Sequence, residues 1–298
     1  MSPAKAQSGA KPAALRVLAV AACGIALAGC DTLSSLNPFS KGDTYKPEIV
    51  PEIPPDTLYN DGLARIQKED YAGAAKKFSD LEKQSPYSEW SRKALIMEAY
   101  ASYEGGLYEE AITASQRYLQ LHPATQEAAY AQYLLAMSHY NQIPDVNRDQ
   151  EKSERALLAL QELVERYPNS EYASDARQKL QVARDQLAGK EMEVGRFYLQ
   201  KRNYTGAINR FRNVVARYQT TRHVEEALQR LAEAYMAMGI VNEAQTAAAV
   251  LGHNFPDSPW YKDAYALLAK GGVEPYESSE SWISKAFRGV PKVGQKTG

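Results

Sequence analysis

The chain has 298 residues, of which 44% are hydrophobic and 24% are charged, and its formal net charge is −1. This composition supplies enough apolar side chains for one or two cores. A net charge so close to zero gives no electrostatic reason to expect a nucleic-acid partner. Tyrosine (20 residues) outnumbers phenylalanine (6), and a buried ring that keeps an accessible hydroxyl suits both helix packing and binding surfaces.

Residues 1–29 have the pattern of a bacterial export signal. Basic residues precede an apolar run at 17–28, which is too short to span a bilayer. The run ends in Leu-Ala-Gly followed by Cys30, which resembles the cleavage and acylation site of bacterial lipoproteins. The resemblance implies that residues 1–29 are removed and that Cys30 carries the lipid. The alternative is an ordinary secretory signal with an incidental cysteine.

Residues 30–56 are predicted to form a tether between the lipid and the folded part. Proline and scattered charges in this stretch favour extended, PPII-like backbone. Several acyl chains on Cys30 would anchor the protein stably, whereas one chain binds a membrane only marginally. Asp31 follows the cysteine, and in enteric bacteria that residue tends to retain lipoproteins in the inner membrane. The expected location is nevertheless the periplasmic face of the outer membrane.

Residues 57–270 are predicted to be a stack of helix hairpins, because one spacing recurs along them. A small residue opens each second helix, and twelve positions later comes a proline, or Gln219 in one unit. The small residues are Ala74, Ala111, Ala156, Ala207 and Ala244. Gly62 and Gly195 on first helices are expected to let helix axes approach closely. The pattern resembles the tetratricopeptide repeat, in which a hairpin buries its apolar face only against its neighbours.

The predicted fold class is therefore all-α, an α-solenoid of about five tetratricopeptide-like hairpins. The predicted repeats are 57–87, 88–124, 125–169, 170–220 and 221–257, closed by a helix over 258–270. A polar insertion at 141–150 and a lengthened helix through 172–189 interrupt the regular spacing. A hydroxyl residue that follows each closing position is expected to cap the next helix by accepting a backbone N–H. These residues are Ser88, Thr125, Ser170, Thr221 and Ser258.

Residues 271–298 are predicted to be a flexible tail. Two glycines end the helical pattern, and an acidic, serine-rich stretch at 274–281 follows. Trp282, Ile283, Ala286 and Phe287 then recur at helical spacing. This short amphipathic patch has two alternative roles, docking on a partner or folding back onto the last repeat.

No arrangement of residues predicts catalysis, a metal site or a cofactor other than the lipid on Cys30. The histidines do not pair at the spacing of metal ligands on a helix, and no cysteine joins them. The segment around Lys190 lacks the glycine and hydroxyl positions of a nucleotide-binding loop. The Gly-x-Ser-x-Gly motif of hydrolases is absent from the sequence. We therefore expect a protein that is not an enzyme.

The lipoprotein signal, the short tether and the repeats together resemble one family over about residues 30–270. Helix starts such as Ser88-Glu89-Trp90 and Ser258-Pro259-Trp260 are similar to those of the BamD (ComL) family, lipoproteins of the outer-membrane β-barrel assembly machine. The resemblance implies a scaffold that binds BamA, the barrel component, through its C-terminal repeats. It also implies that the N-terminal repeats receive the C-terminal strand of unfolded barrel proteins, and that other lipoproteins of the machine are partners.

The same resemblance implies candidate binding residues. Those expected to face BamA lie on the fourth repeat: Lys201, Arg202, Tyr204, Asn209 and Arg210. Arg210 matches a family arginine that pairs with an acidic partner residue, and an ordinary intramolecular ion pair is the alternative. A substrate strand that ends in an aromatic side chain and a carboxylate suits an aromatic groove with arginines nearby. The candidates for that groove are Tyr59, Arg65, Tyr71, Trp90, Arg92, Tyr100 and Tyr103.

Two other functions stay open at this point. The first is a different lipoprotein adaptor, such as a secretin pilotin or a regulator of a peptidoglycan enzyme, which would recover a secretin or a hydrolase in a pull-down. The second is an enzyme whose helical solenoid supports a catalytic domain, as in some lytic transglycosylases. The length left after the repeats argues against the second, and an assay of cell-wall cleavage tests it.

Overall fold

Twelve helices follow one another in a computed structural model, which describes residues 53–288. They are α1 (Pro55–Ile66), α2 (Tyr71–Gln84), α3 (Glu89–Glu104), α4 (Tyr108–Leu121), α5 (Ala128–Tyr140), α6 (Glu151–Arg166), α7 (Ala173–Gln200), α8 (Tyr204–Arg217), α9 (Val224–Ala237), α10 (Val241–Asn254), α11 (Pro259–Lys270) and α12 (Trp282–Phe287). No strand occurs among these residues, so the predicted all-α class is confirmed. The predicted signal, Cys30 and nearly all of the tether lie outside the described residues.

Helices α1 to α10 form five hairpins, each packed on the next, and α11 closes the stack. The alanines that open the second helices are all fully buried, as are Phe78, Leu160 and Phe211 one turn later. The small residue lets the two helices of a hairpin approach, and the large one fills the space between them. The predicted α-solenoid of tetratricopeptide-like hairpins is therefore confirmed.

Only one of the predicted hydroxyl caps forms. The hydroxyl of Ser88 accepts the backbone N–H of Ser91 at 3.1 Å, as expected for an N-cap. The hydroxyls of Thr125, Ser170 and Thr221 instead donate to the backbone carbonyl three residues earlier, at 2.7–3.0 Å. They close the turn that precedes the helix, which then begins three residues later. Ser258 forms no cap bond either, although Pro259 occupies the first helical turn.

The polar insertion at 141–150 is an ordered loop that packs on the long helix α7. The side-chain amide of Gln150 donates to the carbonyls of Asp145 (2.9 Å) and Arg148 (3.0 Å) from inside the loop. From α7, Gln186 donates to the carbonyl of Pro144 at 2.8 Å. The predicted lengthened helix is present and, at 28 residues, extends beyond the predicted 172–189. Its extra length gives the insertion a surface to pack against.

The predicted flexible tail is wrong for residues 273–288, which we call the C-terminal segment. Helix α12 packs against α8 and α10, and Ile283 is fully buried in the core cluster of the last two repeats. Gln219, just after α8, donates a side-chain hydrogen bond to the carbonyl of Ala286 at 2.7 Å. The apolar patch of this segment folds back onto the last repeats and covers apolar side chains that they would otherwise expose. Residues 289–298 lie outside the described part.

Candidate functional site

A surface groove of about 750 Å³ runs along the outer face of α8. It is lined by Tyr198, Asn203, Thr205, Gly206, Asn209, Arg210, Arg212 and Asn213. Among these lining residues two carry a positive charge and none carries a carboxylate. A groove with amides and guanidinium groups along its wall suits a carboxylate-bearing loop of another protein.

The turn between α7 and α8 determines where this groove begins. Arg202 adopts a left-handed conformation (φ 58°), which reverses the chain after α7. The side chain of Asn203 then caps α8 by accepting the backbone N–H of Gly206 at 3.0 Å. Lys201 and Arg202 are exposed on the turn and Tyr204 is half-buried, so these three predicted residues lie beside the groove rather than in its lining.

Asn209 and Arg210 are the two predicted residues that line the groove. The Arg210 guanidinium lies 3.3 Å from Glu191 on α7, and Asn213 donates to the other oxygen of that carboxylate at 2.9 Å. The side chain of Arg210 is nevertheless 40% exposed. An ion pair this exposed contributes ~1 kcal/mol or less. The intramolecular pair therefore forms, and the guanidinium keeps N–H groups that a partner carboxylate can reach.

Sequence reasoning missed Arg212 and Asn213. Both lie on the exposed side of α8, whose opposite side carries the buried Phe211. A signal for them was present, since the stretch 209–213 places polar residues on both sides of a single phenylalanine at helical spacing.

The predicted substrate residues fall into two places. Tyr59 on α1 and Trp90 on α3 are half-buried where the first two hairpins meet, and the ring centroid of Tyr59 lies 5.5 Å from that of Phe78 and 5.1 Å from that of Trp90. Burial raises the pKa of the Tyr59 hydroxyl. Arg65 is engaged within its own hairpin, 2.7 Å from Asp70. Tyr59 and Trp90 therefore pack between the first two repeats, and Arg65 forms an ion pair within the first.

The other four candidates, Arg92, Tyr71, Tyr100 and Tyr103, lie on α2 and α3. Arg92 is exposed on α3, and Tyr71 is half-buried at the start of α2. Tyr100 and Tyr103 pack, half-buried, on the cluster between the second and third hairpins. Asn141 donates a hydrogen bond to the Tyr103 hydroxyl at 3.1 Å.

Three further tyrosines, which were not predicted from the sequence, continue the line of Tyr100 and Tyr103 along the stack. They lie on or directly before the first helices of the third and fourth hairpins. Tyr130 and Tyr133 on α5 lie 5.3 and 4.9 Å from Tyr172, at the N-terminal end of α7, between ring centroids. Burial, then a hydrogen bond to Asp175, raises the pKa of Tyr133 to about 12. The row was visible as a repeated Tyr-x-x-Tyr spacing on α3 and α5. We call these five residues the tyrosine row.

Within residues 53–288, no group of three or more histidine, cysteine or acidic side chains is placed to hold a metal ion. In the same part of the chain, none of the helices combines the length and the apolar character that crossing a bilayer requires.

A stack of helix hairpins with an arginine-lined groove and a row of tyrosines defines a helical-repeat protein of the tetratricopeptide-like class, whose members bind other proteins along their helix faces. A family model described as an outer membrane lipoprotein, YfiO, matches residues 51–251. A relative from Caulobacter vibrioides named outer membrane protein assembly factor BamD is 48% identical over 235 residues, 78% of this chain and 77% of the relative. The chain belongs to this family of outer-membrane lipoproteins and assembly factors.

Other BamD proteins show the same likeness over most of their length. The relative from Rickettsia prowazekii is 41% identical over 245 residues, 82% of this chain and 93% of its own. The relative from Neisseria meningitidis is 31% identical over 260 residues, 84% and 95% of the two chains. This membership supports a role in outer-membrane assembly and an association with the outer membrane, ahead of the pilotin and cell-wall alternatives.

Proposed function

We propose that the chain is a non-catalytic scaffold, anchored by a lipid on Cys30 to the periplasmic face of the outer membrane. In this proposal its fourth repeat binds BamA, and its N-terminal repeats bind unfolded barrel proteins. Holding both ligands on one stack raises the effective concentration of the substrate at the insertion machine.

The observation that carries the proposal is the position of Arg210. The family resemblance nominates this residue for an acidic partner, and its guanidinium borders a groove whose described lining has no carboxylate. A partner carboxylate can add a charge-assisted hydrogen bond to a guanidinium that Glu191 satisfies on one side only. Asn209 is exposed beside it as a second donor.

The tyrosine row supports the proposed substrate site. Successive first helices present half-buried rings with hydroxyls, which suit an extended strand that offers aromatic side chains and backbone polar groups. Arg92 is exposed on the same helix as Tyr100 and Tyr103, and it offers a cation for a terminal carboxylate. We therefore centre the proposed contact on the second and third hairpins rather than on Tyr59, which packs where the first two hairpins meet.

The partner site is tested by binding of the purified mature chain to the periplasmic domains of its organism's BamA. Arg210→Glu should weaken binding at least tenfold, because a like charge then faces the partner carboxylate. Arg166→Glu is the matched control, since Arg166 is 49% exposed and pairs with Glu162 on α6, away from the groove. Equal affinities for the two variants would refute the proposed site.

The anchor is tested separately in cells. Radiolabelled palmitate should label the wild-type chain, and Cys30→Ala should abolish the label and release the protein from membranes. Labelling that persists in the Cys30→Ala variant would refute lipidation at this position.

A further inference from the structure

The two arginines that border the groove on α8 are held from opposite sides. Arg210 is held by Glu191 on α7, at 3.3 Å. Arg212 points the other way, and its guanidinium carbon lies 4.9 Å from the ring centroid of Trp282 in the C-terminal segment. The segment therefore contacts a residue of the groove lining, although it contributes no lining residue itself.

Trp282 is held firmly where it meets Arg212. Its indole N–H donates to the hydroxyl of Tyr235 on α9 at 3.2 Å. The next residue, Ile283, is fully buried, and the hydroxyl of Ser281 both caps α12 and bonds to Glu243 at 2.6 Å. The contacts of Ser281 and Ile283 thus hold the backbone on both sides of the tryptophan in place.

An aromatic face holds an arginine differently from a carboxylate. Glu191 accepts a hydrogen bond from one nitrogen of Arg210, whereas a guanidinium that lies over a ring keeps its in-plane N–H donors free. Stacking also restricts the rotamers of Arg212 before a partner binds, so less side-chain entropy is lost on binding. Arg212 is exposed, so its free donors face solvent at the edge of the groove.

We propose that the C-terminal segment is a working part of the partner-binding surface, in which Trp282 orients Arg212 to receive a second carboxylate of the partner. The ligand is then a loop with two acidic side chains, one for Arg210 and one for Arg212, lying across the outer face of α8. This inference rests on the proposed function and adds to it a positioning residue outside the repeats.

The test measures affinity for the periplasmic domains of BamA in a double-mutant cycle. Trp282→Leu keeps an apolar side chain on α12 and removes the aromatic face, so it should weaken binding by about tenfold. Arg212→Ala should weaken binding by a similar factor. The double variant should bind no worse than Arg212→Ala alone, because Trp282 acts only through Arg212.

Two controls separate positioning from loss of structure. Tyr235→Phe removes the hydrogen bond to the indole and leaves the Arg212 stack in place, so affinity should stay within about twofold. Hydrogen exchange of α12 should be unchanged in Trp282→Leu, showing that the segment stays docked. The inference is wrong if Trp282→Leu binds BamA at least as tightly as wild type does. It is also wrong if the losses of binding free energy in Trp282→Leu and Arg212→Ala add fully in the double variant. No loss of binding in Arg210→Glu would instead defeat the proposed function itself.

Discussion

At the scale of single residues, glycine positions show how closely the helices pack. A Cβ added at Gly195 on α7 would lie 2.4 Å from the ring of Phe211 on α8, and one at Gly62 would lie 2.6 Å from Phe78. Real carbon atoms do not approach so closely, and both rings are fully buried. Gly189, six residues before Gly195 on the same helix, is different, since its added Cβ would meet its nearest atoms at 3.4 Å.

We expect Gly195→Ala to destabilise the protein by ~1–3 kcal/mol, because the Phe211 ring has to shift in a filled core. Gly189→Ala on the same helix should be neutral or stabilising by up to ~1 kcal/mol, since alanine favours the helix. Denaturant unfolding of both variants measures the difference. Equal destabilisation by the two substitutions would show that the Gly195 contact is not the cause.

At the scale of helices, a cluster of charges joins α7 to α9. Arg196 on α7 donates two hydrogen bonds to Glu226 on α9, at 2.9 and 2.6 Å, and Arg230 lies 3.5 Å from the same carboxylate. Burial alone would raise the pKa of Glu226, but the hydrogen bonds and charges of Arg196 and Arg230 outweigh it and lower that pKa. The cluster thus stabilises the junction of the last two repeats while the carboxylate is ionised.

This cluster predicts a loss of stability in acid. The pKa of Glu226 is lowered from 4.5, so its contribution is complete above pH 4.5 and is lost as the pH falls through the folded-state value. Glu226→Gln should cost ~1–2 kcal/mol at pH 7, and the difference from wild type should shrink below pH 4.5. Thermal unfolding at several pH values measures it, with Glu225→Gln as the control. A constant difference across the pH range would contradict the assignment.

The insertion at 141–150 gives a second prediction at this scale. Gln150→Ala removes the donor that Asp145 and Arg148 share, leaving loop carbonyls unsatisfied at a cost of ~1–3 kcal/mol. Hydrogen exchange should rise in the loop. Gln161→Ala, which removes a hydrogen bond on the exposed face of α6, should leave the loop unchanged. Unaltered protection of the loop in Gln150→Ala would show that Gln150 does not hold it.

What could be predicted from the sequence depended on periodicity. The buried alanines, such as Ala74 and Ala207, and the phenylalanines one turn later recur at fixed spacing, so the hairpins could be placed from them. The hydroxyl of Thr125 donates rather than caps because the preceding turn competes for it, which spacing does not reveal. The Tyr-x-x-Tyr spacing was visible, but the docking of Trp282 and the packing of Tyr172 on Tyr130 and Tyr133 depend on contacts between distant segments, which a single sequence does not encode as a local pattern.

At the scale of the described unit, the core is unevenly divided. The largest cluster of buried residues extends from α7 to α12, whereas the first hairpin shares a small cluster with α3 alone. In a stack of repeats each unit is stabilised mainly by its neighbours, so a terminal hairpin opens most easily. The groove proposed to bind the partner therefore lies on the half of the unit that has the larger core.

Two matched substitutions test this division. Phe78→Ala and Phe211→Ala each remove a fully buried ring that packs against a glycine, at a cost of ~3–5 kcal/mol. We expect Phe78→Ala to increase hydrogen exchange mainly in α1 and α2, and Phe211→Ala to increase it throughout α7 to α12. The same spread of exchange in both variants would contradict the uneven division.

The central claim, that one stack holds the insertion machine and its substrate at separate places, is tested most directly by photocrosslinking in whole cells. Positions 209, in the groove, and 104, exposed beside the tyrosine row, would each carry the photoreactive side chain. The account predicts crosslinks to BamA from position 209 and to unfolded barrel proteins from position 104. Crosslinks from neither position, or the same partner from both, would contradict it.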